Sequence, residues 1–243
     1  MREARLPRPW VLGLGAACLV GAACLAAFAW KPAVLAAMMA EFRSHQTPSA
    51  LAFPEGLNVV LIGTGSPMGD KARVGACLAV VAGKHTFIVD AGEGANRNIQ
   101  LARLPTKPDA LLLTHFHSDH IASLGDIALG HWSRNRSTDP LLVIGPAGVE
   151  SVVRGFNEAY SLDDGYRVEH HGADWMPPSG AGSVARTVEL GLEPDASAVV
   201  YNEDGLRVTM FRVDHGPVKP AVGYRFDYRG RSVAMSGDTA YTE

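Results

Sequence analysis

Cysteine is almost absent from this chain, with 3 in 243 residues, at Cys18, Cys24 and Cys77. The first two fall inside an apolar stretch, which leaves one thiol for the remainder and excludes an internal disulfide there. Lipid attachment at Cys18 or Cys24 is disfavoured, because Gly15 and Gly21 stand where a larger aliphatic residue is expected. A basic surplus is also missing: 22 Lys and Arg stand against 25 Asp and Glu. Chains that grip phosphate backbones usually carry a basic excess or stripe, so nucleic acid is disfavoured as a partner. A local patch can still hide in a balanced total. There is no repeat of short motifs and no P-loop: Gly63-Thr64-Gly65 lacks the Gly-Lys-Ser/Thr that must follow, and reads as a tight turn.

Charge is wholly missing from Trp10 to Trp30, a run rich in Leu, Ala, Val and Gly. About 20 apolar residues suffice to cross a hydrocarbon core. Arg2, Arg5 and Arg8 precede the run, while Lys31 and Arg43 follow it. That bias favours the N-terminus inside and the following domain outside, on the periplasmic or extracytoplasmic face. A signal peptide cleaved after Ala27-Phe28-Ala29 is the rival, giving a secreted protein, but the run is longer than most signal cores. The expectation is a membrane anchor over 1–43, including a short helical continuation from Pro32 to Phe42. Residues 44–57, with Pro48 and Pro54, read as a linker. A folded domain is expected over 58–243.

Within that domain, apolar runs alternate with helical stretches. Asn58–Ile62 is β-branched, and Ala76–Val81 and His85–Val89 flank a turn, suggesting a hairpin. Glu93–Arg103, Ile121–Trp132 and Ala147–Tyr160 have helical spacing. Ala110–Leu113 and Leu141–Ile144 read as short buried strands. Asp174–Ser197, rich in Gly, Pro, Ser and Ala, reads as a surface insertion. Leu206–Val213, Ala221–Tyr228 and Arg231–Met235 read as strands joined by tight turns. Elements mixed in this way imply a layered α/β domain.

The chemistry concentrates at His115-Phe116-His117-Ser118-Asp119-His120. With 9 histidines in the chain, three within six positions is improbable by chance. An apolar strand delivers the chain to His115, and a loop can then turn several side chains to one point. His115 and His117 share a side in extended backbone. Asp119 and His120 enter the next turn and can face a second position. Imidazoles with a carboxylate suit zinc first, and also manganese or iron. His170 and His171 border the Gly/Pro-rich segment; they are the rival for a third ligand, and otherwise read as solvated groups or as partners that orient a ligand. Asp90, at a strand end before glycines, reads as an organiser of the site loops and a candidate to orient a ligating histidine. Arg225, Arg229 and Arg231 read as a solvated hairpin, with contact to an anionic substrate as the alternative.

The His-x-His-x-Asp-His run resembles the metallo-β-lactamase superfamily, and its flanks look most like the ribonuclease Z and arylsulfatase-like branch. Leu61-Ile62-Gly63-Thr64-Gly65-Ser66-Pro67 resembles that branch's first strand and loop, and Val89-Asp90-Ala91-Gly92-Glu93-Gly94 its Asp-x-Gly-Glu-Gly segment. Val213-Asp214-His215, with Gly223-Tyr224-Arg225-Phe226, resembles the strand bearing a third histidine ligand. Ser236-Gly237-Asp238-Thr239 resembles the segment bearing a bridging aspartate. The resemblance implies an αββα sandwich holding two divalent metal ions. His115, His117 and His215 would hold the first, Asp119 and His120 the second, and Asp238 both. It further implies hydrolysis by a water that the two metals acidify, with Asp119 as the catalytic residue that helps position it.

Two departures temper this. The chain ends at Glu243, soon after Asp238, so the sandwich is expected to be truncated, without the branch's late histidine. From His215 to Asp238 there is no room for the long RNA-gripping arm of ribonuclease Z. The sequence therefore points to a membrane-anchored or exported metal-dependent hydrolase of a small-molecule ester, with phosphodiesters and sulfate esters leading. A ribonuclease Z-like RNA-processing endonuclease is the alternative, and an inactive metal-binding fragment or scaffold a third.

Overall fold

In the computed structural model, residues 53–104 and 107–240 are described, together with Val34 and Ala37. All but those two lie in the second of the two units into which the chain divides, 50–243. The anchor expected within 1–43 lies outside the described residues, apart from Val34 and Ala37, which are helical. No helix among the described residues is long and apolar enough to cross a membrane.

The first sheet has six strands in sequential order. They are β1 (Leu57–Gly63), β2 (Cys77–Ala82), β3 (His85–Val89), β4 (Ala110–Leu112), β5 (Leu141–Gly145) and β6 (Ser183–Thr187). The β1–β2–β3 meander is antiparallel, and β3 through β6 pair in parallel. Strands in a parallel sheet are covered on both faces and read as unbroken apolar runs, and all five residues of β3 are buried. The second sheet runs β10-β9-β8-β7, all antiparallel. It comprises β7 (Ser197–Glu203), β8 (Leu206–Arg212), β9 (Val222–Tyr228) and β10 (Arg231–Met235). Here the pattern alternates: Leu206, Val208 and Met210 point inward while Arg207 is exposed.

The described residues of the domain also form four α-helices, α1 (Ala95–Ala102), α2 (Ser118–Ile121), α3 (Leu124–Asn135) and α4 (Val149–His171), and a short 3-10 turn at Pro178–Gly180. One apolar cluster joins Ile99, Leu124, Ile127 and Val153 of the helices to Ile88, Leu111 and Val143 of the first sheet. The other joins Phe87, Val89 and Leu112 to Val208, Tyr224 and Phe226 between the sheets, and draws no residue from a helix. The described layers are therefore helices, first sheet, second sheet.

Three expectations are corrected. The segment 174–197 is not wholly a surface insertion, since Ser183–Thr187 pairs with β5 in full register. As an edge strand with only Ser183 buried, β6 has no need of the apolar pattern that marks β5. The helix expected over 121–132 is two, α2 and α3, meeting at Ala122–Ser123. Helix α4 runs on to His171, and its second half buries no residue, which removes the apolar periodicity that would have announced it.

Candidate metal centre

Strand ends and loops at one edge of the sandwich bring the site together. β3 delivers Asp90 just past its last residue, β4 leads through Leu113 and Thr114 to His115, the β8–β9 connection carries His215, and β10 leads to Asp238. Close loop contact at this edge depends on glycine. A Cβ on Gly237 would stand 2.7 Å from the Thr114 Cβ, and the residue has φ 62.

Two ligand clusters form, sharing His115. In one, the nitrogens of His115, His117 and His215 lie within 4.8 Å of one another; in the other, so do ligand atoms of His115, His120 and Asp238. His115 Nε2 is 3.0 Å from His117 Nδ1. Asp238 Oδ1 lies 3.5 Å from His120 Nε2, and its Oδ2 lies 3.9 Å from His215 Nε2. Asp119 joins neither group of three, but its carboxylate is 3.6 Å from His120 Nε2. His170 and His171 stack on each other at the exposed end of α4 and belong to neither cluster.

Asp90 and Thr114 orient the imidazoles. The Asp90 carboxylate accepts from His120 Nδ1 at 2.8 Å, so the tautomer this bond implies aims the bare Nε2 into the cluster. It also accepts from the Thr114 amide at 2.9 Å and from the Thr114 hydroxyl at 2.9 Å. With its proton committed there, Thr114 Oγ1 accepts from His115 Nδ1 at 3.0 Å. That leaves His115 Nε2 with its lone pair facing His117. Asp90 was legible as an orienting carboxylate. Thr114 was missed, and its adjacency to His115 was the only available signal.

The electrostatics follow from the burial. Desolvation, with the neighbouring His120, lowers His115 from 6.5 to about 4. Burial pulls His120 down as well, but the Asp90 hydrogen bond and the charges of Asp90, Asp238 and Asp119 outweigh it and raise its pKa. The donor set is imidazole and carboxylate, which suits a divalent ion of the zinc, manganese or iron kind. One observation tests the fit directly: His215 Nε2 is buried with no hydrogen-bond partner. Buried imidazole nitrogens are ordinarily paired, and this one belongs to the first cluster.

The sequence profile of the metallo-beta-lactamase superfamily matches residues 70–243. The chain belongs to that superfamily. Within it, the chain is 39% identical over 186 residues to the ribonuclease Z of Mycolicibacterium gilvum (strain PYR-GCK), an alignment covering 75% of this chain and 62% of that protein. It is 36% identical over 186 residues to the ribonuclease Z of Mycobacterium bovis (strain BCG / Pasteur 1173P2), covering 75% and 63%. The chain thus spans about three-fifths of the length of these curated relatives. Among solved structures of the fold, human tRNase Z, short form, superposes with a TM-score of 0.56 at 20% identity, covering 74% of this chain and 68% of that one. The metallo-beta-lactamase fold protein YhfI from Bacillus subtilis gives 0.53 at 17% identity, covering 78% and 65%. These two likenesses concern the superfamily's fold.

Proposed function

We propose that the chain is a metal-dependent phosphodiester hydrolase of the ribonuclease Z kind, acting on a tRNA precursor. The observation that carries this reading is the pair of ligand clusters meeting at His115. In the proposal, His115, His117 and His215 hold one divalent ion, zinc first. His120 and Asp238, with Asp119 beside them, hold a second. Bound there, two such ions supply an acidified water and polarise the scissile phosphorus–oxygen bond. Asp119, whose carboxylate lies 3.6 Å from His120 Nε2, would be placed to orient the attacking water. Identity of 36–39% to proteins named ribonuclease Z weighs RNA above the small-molecule ester that the balanced charge favoured.

A cleft of about 600 Å³ lies beside the clusters, where Asp70, Glu93 and Asp119 offset three cations until metal is bound. Lys71, Arg73 and Arg97 line it, and Ser118 and Asp119 form its side toward the metal centre. A phosphodiester backbone lying there would have these three cations within the same cleft as Asp119.

The test is cleavage of a tRNA precursor with a 3′ trailer, and of bis(p-nitrophenyl) phosphate, in the presence of zinc. Both activities are expected, each falling about 100-fold or more in His117→Ala, since even the outer partners of metal ligands are worth 10–100-fold. Turnover indifferent to His117→Ala would refute the proposal. A second reading, an exported hydrolase of small esters, draws on the uncharged run from Trp10 to Trp30 behind Arg2, Arg5 and Arg8. That run would place the domain outside the cytoplasm, anchored to the membrane or secreted, and so away from tRNA precursors. Protease accessibility of the domain on intact cells, joined to ester turnover without RNA cleavage, would favour it.

A further inference from the structure

We infer that Tyr224 is a positioning residue for the metal centre: its hydroxyl holds the His115 arm in register with the His215 arm. The inference rests on the metal-binding reading above and goes beyond it.

Tyr224 lies in the middle of β9, facing the apolar layer between the sheets, and is fully buried. Its neighbours in that layer include Phe87 and Phe226. Packing alone would be served by phenylalanine, and a phenol hydroxyl taken out of water costs stability unless it finds a partner. The partners it finds distinguish it from an ordinary satisfied core tyrosine. The hydroxyl donates to the Leu113 carbonyl at 2.8 Å, with the Ile144 carbonyl at 3.4 Å. Leu113 and Thr114 are the link between β4 and His115, and they stand beyond the last paired residue of the strand. Within the sheet, Leu113 is tied to β5 through its amide, which donates to the Ile144 carbonyl at 2.9 Å. Its own carbonyl is held from the other sheet, by Tyr224.

The same strand holds the next residue and the opposite arm. The Val222 amide donates to the Thr114 carbonyl at 3.0 Å, and the Ala221 carbonyl accepts from the Val213 amide at 3.1 Å, just ahead of His215. One short segment, 221–224, therefore grips the backbone leading into both arms. The two imidazoles so held have ring centroids 5.0 Å apart. Main-chain hydrogen bonds supply two of the three grips whatever the side chains are. The third depends on a single hydroxyl, and it can be removed without changing the volume of the core.

Tyr224→Phe removes that grip and leaves the Leu113 carbonyl free to drift. The comparison variant is Val208→Ala, which takes volume from the same apolar layer at a residue that pairs with Phe226 and whose side chain carries no hydrogen-bonding group. Zinc affinity is measured by competition with a chromophoric chelator, the visible absorption of the cobalt(II)-loaded protein is recorded, and circular dichroism checks the fold. Tyr224→Phe is expected to weaken zinc binding about tenfold and to change the shape of the cobalt bands. Val208→Ala is expected to keep both while losing at least as much thermal stability. Unchanged affinity and cobalt spectrum in Tyr224→Phe would overturn the inference, with metal binding by the parent chain left standing. Equal losses in the two variants would also overturn it, by showing a general effect of core loosening. A parent chain that binds no zinc would sink the metal-binding reading and the inference together.

Discussion

Asp90 works through both its side chain and its backbone. Its carboxylate takes His120 Nδ1 and two groups of Thr114, while its φ of 60 turns the chain sharply out of β3. Aspartate tolerates that left-handed region better than most residues, because its short side chain bonds locally. Three groups from two residues near the ligand run are thereby fixed around one carboxyl group before any ligand arrives. The consequence reaches His115, which sits wholly buried beside this network. Burial, then the His120 charge, lower its pKa to about 4 from 6.5. In the metal-free protein His115 therefore stays neutral across the interval in which the unfolded chain takes up a proton. A group depressed in this way costs stability as pH falls from about 6.5 toward 4, because the unfolded state binds more protons there. His120 is shifted the other way, so its contribution is present below 6.5 and is lost as pH rises through its folded value. Thermal unfolding of the metal-free chain between pH 6.5 and 4 should show a shallower acid slope in His115→Gln than in the parent. Equal slopes would mean that His115 ionises in the folded protein much as it does in water.

At the scale of elements, three loops converge where glycine removes the side chain. The Gly92 amide donates to the Ala76 carbonyl at 3.0 Å, and the Gly75 amide to the Glu93 carbonyl at 2.9 Å. A Cβ on Gly92 would stand 2.3 Å from the Gly75 carbonyl carbon and 2.5 Å from the Asp119 carbonyl oxygen. These are backbone atoms, which cannot swing aside as the far end of a flexible side chain can. Gly92→Ala should cost about 1–3 kcal/mol, the usual range for overpacking, read as a lower urea midpoint. An unshifted midpoint would show that the loops are not packed so closely. The same elements explain what the sequence could announce. β4 and the ligand run after it were plain, because a strand buried on both faces must be apolar and a dense ligand run has few other uses. β6 was hidden, because an edge strand with alternate residues exposed can be built from Ser, Arg and Thr. The second half of α4 was hidden for a like reason: Leu162 and Tyr166 are 69% and 64% exposed and face no core. His215 and Asp238 could be singled out only through resemblance, since nothing local sets either apart. Tyr224 stood out only as part of a resembling strand, and nothing marked its hydroxyl, because its bond to Leu113 joins residues far apart in the chain.

For the whole molecule, the balance of charge is less decisive than its placement. The net charge is −3, which taken alone argues against a polyanionic substrate. In the cleft beside the ligand clusters, Lys71, Arg73 and Arg97 face Asp70, Glu93 and Asp119, so the metal-free cleft is close to neutral. Arg73 is further occupied by Asp70 at 3.9 Å. Divalent ions are the largest local charges in such a site, and two of them beside Asp119 would turn the cleft positive. If the chain acts on RNA as proposed, its RNA affinity should therefore depend on metal loading as well as on the cations. Replacing Lys71, Arg73 and Arg97 together by alanine should weaken binding of a tRNA precursor to the zinc-loaded chain. If all three meet phosphates, the plot of log affinity against log salt should flatten by about 2–3 units, since each contact contributes about 0.7–0.9. Hydrolysis of bis(p-nitrophenyl) phosphate, which reaches the metals without spanning the cleft, should be nearly unchanged. A salt slope identical to the parent's would place the RNA path elsewhere on the surface, and the exposed arginines of the β9–β10 hairpin would be the next to replace.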